Sequence, residues 1–278
     1  MENIYIIWEP GSASPAGLVK ALELAAQLPG RTKVFALRAT SAREKQMSNW
    51  SQSVQAGKDA CTTFSDVEYA SLVVANVARW ANKLLEGSDN VVIKVGERSS
   101  RSFYTSADWQ LLRQLHTPLL VASPRKWQSK AVVLATVDVS SDNPVQTQLN
   151  RNVLAEAKRW ATMKNCDLHV AYVLPVLKLL DELTIIEPYQ VLEKKGAEAK
   201  AKLIGLLQEM QVGETSVILS AGPPADELAH IASKCGADLV VIGSMGRDGL
   251  RGYLKGNTAE RIIQKLRTDL LVIHPRKA

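Results

Sequence analysis

The stretch that decides the fold is Ala237-Asp238-Leu239-Val240-Val241-Ile242-Gly243-Ser244-Met245-Gly246, with Gly256-Asn257-Thr258 after nine further residues. The apolar run reads as a buried parallel strand. The segment from Ala259 to Leu266 reads as the helix that follows. A strand, a glycine turn, a loop and a helix start in this order make a phosphate cradle. Glycine lets backbone approach a ligand closely, and the free N–H groups at a helix start attract anions.

Upstream, strands and helices alternate back to about residue 130. Strands are expected at 130–137, 168–173, 215–220, 238–242 and 270–273, and helices at 143–163, 190–210, 225–235 and 258–267. Leu203, Leu206, Leu207 and Met210 share one face of the second helix, and Leu228, Ile231, Ala232 and Cys235 one face of the third. Gly236 stands where a helix C-cap glycine belongs. Alternation of this kind specifies a parallel α/β sheet.

The first half repeats the plan. Leu115 to Pro124 lines up with Leu266 to Pro275 at an offset of 151 (Leu119 to Leu270), and Asp89 to Ile93 with Asp238 to Ile242 at an offset of 149. A repeat this long is a duplicated domain. The polar connector Pro124 to Ser129 divides the chain into domains 1–124 and 128–278. Ile4 to Val91 spans 87 positions, whereas Val133 to Val240 spans 107. The first half is therefore expected to lack about a helix between its second and fourth strands. Helices are expected at 15–28, 66–86 and 107–115, with strand two at 32–37.

The totals bound the function. At 278 residues, 46% hydrophobic and 22% charged, the chain is globular in composition. Its longest apolar runs, such as Leu119 to Ala122, cannot span a bilayer, which takes roughly 20 residues. Met1-Glu2-Asn3-Ile4 carries no secretory signature. Cys61, Cys166 and Cys235 have neither pairing nor metal spacing, so a cytoplasmic location with ordinary thiols is expected. Net charge is +6, but the basic residues are dispersed, and a dedicated nucleic-acid partner is not expected. No Walker lysine motif and no nucleophile elbow is present, so no catalytic set is named.

The order strand, Gly243-x2-Gly246, nine residues, Gly256 and helix resembles the signature of the universal stress protein family, and the resemblance covers 128–275 in order. Asp138 after strand one, Val173 ending strand two and the turn Gly222-Pro223-Pro224 also resemble it. The two-domain layout and the run Gly256-Asn257-Thr258-Ala259-Glu260 resemble its tandem members. The resemblance implies two tandem flavodoxin-like (adenine nucleotide alpha hydrolase-like) doubly wound domains with five-stranded, mainly parallel sheets. It implies a nucleotide site, for ATP with or without Mg²⁺, at Asp138, Val173, Gly243, Gly246, Gly256, Asn257 and Thr258. Arg247, with Arg251 and Lys255, lies in the intervening loop and either faces phosphates or is solvated. Asp138 also reads as a surface turn residue, and Gly243 as a plain turn. Asn257 with Glu260 reads as a capping box that replaces the family's hydroxyl.

In the first half, Lys94-Val95-Gly96-Glu97 stands against Gly243 to Gly246, and Thr105-Ser106-Ala107 against Gly256 to Thr258. Trp8-Glu9 replaces Val137-Asp138. No ATP site is expected there. The last strands, Thr117–Ala122 and Asp269–Ile273, are apolar edges expected to pair the halves as an internal pseudo-dimer, with a homodimer on another surface as a further assembly. The leading reading is a binding protein of the stress response, acting without turnover. The alternatives are a slow ATPase or nucleotidyl-transfer enzyme, a nucleic-acid binder, and a binder of another nucleotide conjugate or a lipid-like ligand.

Overall fold

The computed structural model describes residues 3–10, 14–38, 44–64, 66–85, 90–95, 106–176, 188–213, 215–244, 265–266 and 268–275. They form two compact units: Met1–Lys126 with Asp269–Val272, and Trp127–Thr268 with Ile273–Pro275.

In the second unit, β6 (Val132–Thr136), α5 (Pro144–Lys164), β7 (Asp167–Pro175), α6 (Pro188–Glu209), β8 (Ser216–Gly222), α7 (Pro224–Lys234) and β9 (Leu239–Gly243) follow in order. β6 pairs in parallel with β7 on one side and β9 on the other, and β7 carries β8. The strand order therefore reverses between β6 and β9. Local signals place the helices. Asn143 caps α5 by accepting from the Val145 N–H at 2.8 Å, with Pro144 in the first turn. After α7, Gly236 takes φ +65°, and the N–H groups of Gly236 and Ala237 return to the carbonyls of Ser233 and Ala232. That is a Schellman closure, whose left-handed position favours glycine; Asn165 after α5 and Gln211 after α6 make the same closure. The helix expected at 258–267 lies outside the described residues, save for Lys265 and Leu266.

In the first unit the elements are β1 (Asn3–Trp8), α1 (Pro15–Ala25), β2 (Arg31–Arg38), α2 (Glu44–Ala60), β3 (Glu68–Val73), α3 (Val77–Leu84), β4 (Val91–Val95), α4 (Ser106–Gln114) and β5 (Leu119–Ala122). The parallel pairs are β1–β2, β1–β4, β2–β3 and β4–β5. The expected loss of a helix is wrong, and 66–86 is not one helix but β3 and α3. β3 pairs only with β2 and leaves half its residues to solvent, so it lacks the apolar signature of a buried strand. α2 is mostly polar, and a stripe of Trp50, Val54 and Gly57, continued by Cys61 just past its end, packs inward. The shortening is spread out. Residues 39–43 join β2 to α2, where 176–187 join β7 to α6; α2 has 17 residues against 22 in α6, and α3 has 8 against 11 in α7.

The first unit's sheet takes one more strand. β10 (Asp269–Ile273) runs antiparallel to β5, with Leu271 opposite Leu120. Its first residue is fully buried. The Asp269 carboxylate accepts from the Lys20 ammonium of α1 at 2.8 Å, the Ser123 N–H at 2.7 Å and the Ser123 hydroxyl at 2.9 Å. A buried ion pair adds little net stability when intact, but removing one partner strands the other charge. Lys20→Met is therefore expected to destabilise the protein by about 3–5 kcal/mol, read from urea denaturation. A loss below about 1 kcal/mol would show that water reaches Asp269.

Candidate functional site

In doubly wound sheets ligands bind beyond the carboxyl ends of the strands, where the order reverses. The second unit has a half-open cleft at that place, with a cavity volume of about 60 Å³. Val137, Tyr172, Val173, Pro175, Pro224 and Leu228 form its apolar wall, and Gly243 lies at the end of β9. Thr136, Asp138, Gln146 and Asn150 form the polar side. The fold thus brings three predicted residues, Asp138, Val173 and Gly243, into one cavity. Gly246, Arg247, Gly256, Asn257 and Thr258 lie outside the described residues.

The polar side is organised from α5. Asn150 is 95% buried, on the same helix face as Leu149, Val153 and Leu154 (5% exposed). Its amide nitrogen donates to the Asp138 carbonyl at 2.7 Å, and its oxygen accepts from the Asp138 N–H at 3.1 Å. A helix side chain thereby continues the backbone pairing of β6 beyond its end. The Asp138 carboxylate accepts from the Ser140 N–H at 2.9 Å, closing an Asx turn. Gln146, one helical turn before Asn150, donates its amide N–H to the Asn150 oxygen at 3.0 Å. Neither Asn150 nor Gln146 is a site residue by sequence reasoning. The available signal is a polar residue on the apolar face of α5.

Gly243 has a packing role of its own. A Cβ at this position would lie 2.8 Å from Cγ and Cδ2 of Leu149. The tight approach of α5 to β9 therefore depends on glycine, whatever the ligand.

The first unit shows the same place filled. Hydrogen bonding shifts the sequence alignment by one residue. The Asn90 side chain accepts from the Asn3 N–H, as Asp238 accepts from the Val132 N–H, so Asn90 corresponds to Asp238 at an offset of 148. Val95, not Lys94, then occupies the position of Gly243. Val95 finds its space against Gly17 of α1, where a Cβ would lie 3.1 Å from Val95 Cγ1. Trp8 occupies the position of Val137 and is 1% exposed. Its indole lies so close to Gly57 of α2 that a Cβ there would be 2.2 Å from the ring. Glu9, in the position of Asp138, is spent on Lys94. The buried Lys94 ammonium contacts Glu9 and Asp108 at 3.1 Å each and donates to the Val95 carbonyl at 2.9 Å. Burial works to discharge it, but the carboxylates of Asp108 and Glu9 prevail and hold its pKa above the ordinary lysine value.

No helix among the described residues is long and apolar enough to cross a membrane, and no cluster of metal-ligating side chains occurs among them.

Comparison with known proteins agrees with this architecture. Residues 144–274 match the profile of the Universal stress protein family. The chain is 28% identical over 199 residues to universal stress protein E of Salmonella typhi, which spans 69% of this chain and 63% of that protein. It therefore aligns with less than two thirds of that relative's length. The universal stress protein E homolog of Haemophilus influenzae is 24% identical, with 99% of this chain and 98% of the homolog covered. Two solved structures share the fold across 99% of this chain. One, from Pseudomonas aeruginosa UCBPP-PA14 and titled as a universal stress protein, has a TM-score of 0.71 at 21% identity and is covered over 94% of its length. The other, a universal stress protein from Archaeoglobus fulgidus, has a TM-score of 0.62 at 14% identity and is covered over 98%. The chain thus carries a universal stress protein domain and is homologous to universal stress protein E over most of its length.

Gly243→Val is expected to lower stability by about 1–3 kcal/mol through overpacking against Leu149, measured by thermal denaturation. Unchanged melting would mean that α5 can withdraw from β9 without cost.

Proposed function

We propose that this chain acts as a nucleotide-binding protein of the stress response, holding ATP, with or without Mg²⁺, in the cleft of its second unit. The observation that carries this reading is the cleft itself, an apolar slot with a polar edge at the reversal point between β6 and β9. An apolar wall of Val137, Val173, Pro224 and Leu228 suits the faces of a planar base, and the Asp138 carboxylate suits a sugar. Phosphates would extend toward Gly246, Arg247, Gly256, Asn257 and Thr258, where the sequence leads us to expect glycines and a helix start with free backbone N–H groups. Binding rather than turnover is the role we assign. The only carboxylate lining the cleft among the described residues is Asp138, and it is engaged by the Ser140 N–H. The first unit, the domain 1–124, is assigned no nucleotide. Trp8 and Val95 occupy the volume, and Glu9 is committed to Lys94.

We further assign the domain pair 1–124 and 128–278 the architecture of an intramolecular pseudo-dimer, supported by the antiparallel β5–β10 ladder. A homodimer on a separate surface and a cytoplasmic location belong to the same reading.

Isothermal titration of the whole protein with ATP tests the assignment. Binding of one nucleotide per chain is expected. Val137→Trp, which imports the side chain that fills the first unit, is expected to weaken it at least about 100-fold while circular dichroism stays native. Gly246→Val is expected to do the same by blocking backbone approach. Two nucleotides per chain, or full affinity in Val137→Trp, would refute the placement.

A further inference from the structure

The hydrogen bonds around Asp138 determine more than its position. The orientation of an amide side chain is ambiguous from its shape alone, because O and N look alike. Here the backbone resolves it. The Asp138 N–H can only donate and its carbonyl can only accept. Asn150, bound to both, must present Oδ1 to the first and Nδ2 to the second. The Gln146 atom 3.0 Å from Asn150 Oδ1 must then be the amide nitrogen, so the carbonyl Oε1 is the other end. Polarity is passed along one helical turn, from strand end to Asn150 to Gln146.

The remaining polar groups of the cleft point the same way. The Thr136 hydroxyl proton goes to the Val241 carbonyl at 3.3 Å, which leaves lone pairs on Oγ1. Asp138 has a carboxylate, which only accepts, and Oδ1 alone is taken by the Ser140 N–H. Asp138 has no donor, Thr136 has used its one, and Gln146 has spent one of its two amide N–H groups on Asn150. What these residues offer a ligand is mainly acceptors, Thr136 Oγ1, Asp138 Oδ2 and Gln146 Oε1, against a single remaining Gln146 N–H.

Resting on the nucleotide reading above, we propose that Gln146 is a specificity-determining residue, held by Asn150 as an acceptor, and that the cleft selects ligands presenting hydrogen-bond donors beside it. Two parts of a nucleoside carry such donors: the ribose hydroxyls and an exocyclic amine on the base. A phosphate or a carboxylate, which has only acceptors to offer, is disfavoured at this edge, where the Asp138 carboxylate also repels it. Asn150, whose side-chain oxygen and one N–H are engaged with Asp138 and Gln146, acts as a positioning residue. A site built from acceptors discriminates strongly, because an analogue without the donor leaves buried lone pairs unpaired.

Titration of the full chain with ATP, 2′-deoxy-ATP, 3′-deoxy-ATP and inosine triphosphate tests this. Wild-type protein is expected to bind at least one of the three analogues about tenfold or more weakly than ATP. Loss with a deoxy analogue identifies a ribose hydroxyl as the donor; loss with inosine triphosphate identifies the base amine. Gln146→Leu is expected to weaken ATP about tenfold and to bring the preferred analogue ratio toward one. Gln146→Glu keeps an acceptor but has no N–H to donate to Asn150 Oδ1, and is expected to lose the ratio as Asn150→Leu does. Asn150→Leu, checked for native circular dichroism and melting, is expected to lose the ratio by releasing Gln146. Gln146→Met, which conserves length, is the second variant should Gln146→Leu unfold. An unchanged ratio in the folded Gln146 variants, or in folded Asn150→Leu, overturns the proposal while leaving ATP binding intact. Absence of ATP binding to the wild type overturns the nucleotide reading and this proposal with it.

Discussion

Side-chain volume at one crossing point governs what each unit can hold. In the second unit, β9 ends in Gly243 with Leu149 of α5 packed over it, and β6 leads into Val137. Two small residues at neighbouring strand ends leave a hollow where the strand order reverses. In the first unit the same positions carry Val95 and Trp8, and compensating glycines have moved to the helices, Gly17 on α1 and Gly57 on α2. Both arrangements pack well. Interiors approach crystal-like density, so a residue enlarged on one element requires one reduced on its neighbour. The two units are two solutions of one packing problem, one with a cleft and one without.

Charge follows volume. The carboxylate after β6 keeps a partly exposed cleft, and its backbone is pinned by a side chain from α5. The carboxylate after β1 has been drawn into an ion triad with Lys94 and Asp108. Elsewhere in that unit, Lys20 and Asp269 form a second buried pair at the start of β10. Buried pairs of this type contribute register more than stability. Asp269 ties the first residue of β10 to Ser123, one residue past β5, and so sets where that antiparallel ladder begins.

Much of the fold is legible in the residues because its signals are local. The Asn143 cap, the Gly236 closure and the apolar faces of α6 and α7 lie within single turns of helix. β3 and α2 are not legible, because an edge strand and a mostly polar helix are defined by what they pack against. The one-residue shift at β4 has a similar cause. Residue identity between Asp89 to Ile93 and Asp238 to Ile242 favours the wrong register, and the bonds of Asn90 and Asp238 show the structural one. At the cleft, Asp138, Val173 and Gly243 are visible as residues at strand ends. Gln146 and Asn150 are not, since their role depends on a backbone eight and twelve positions away in sequence but adjacent across the helix–strand packing.

The Lys94 triad has an evolutionary consequence. Restoring a cleft to the first unit by single steps would pass through poorly folded intermediates. Removing Lys94 alone strands Glu9 and Asp108 in a low-dielectric interior; removing either carboxylate leaves a buried cation undercompensated. Shrinking Trp8 alone opens an empty cavity beside α2. Each change costs stability before a second change could compensate it. A packing of this kind changes in concert or not at all.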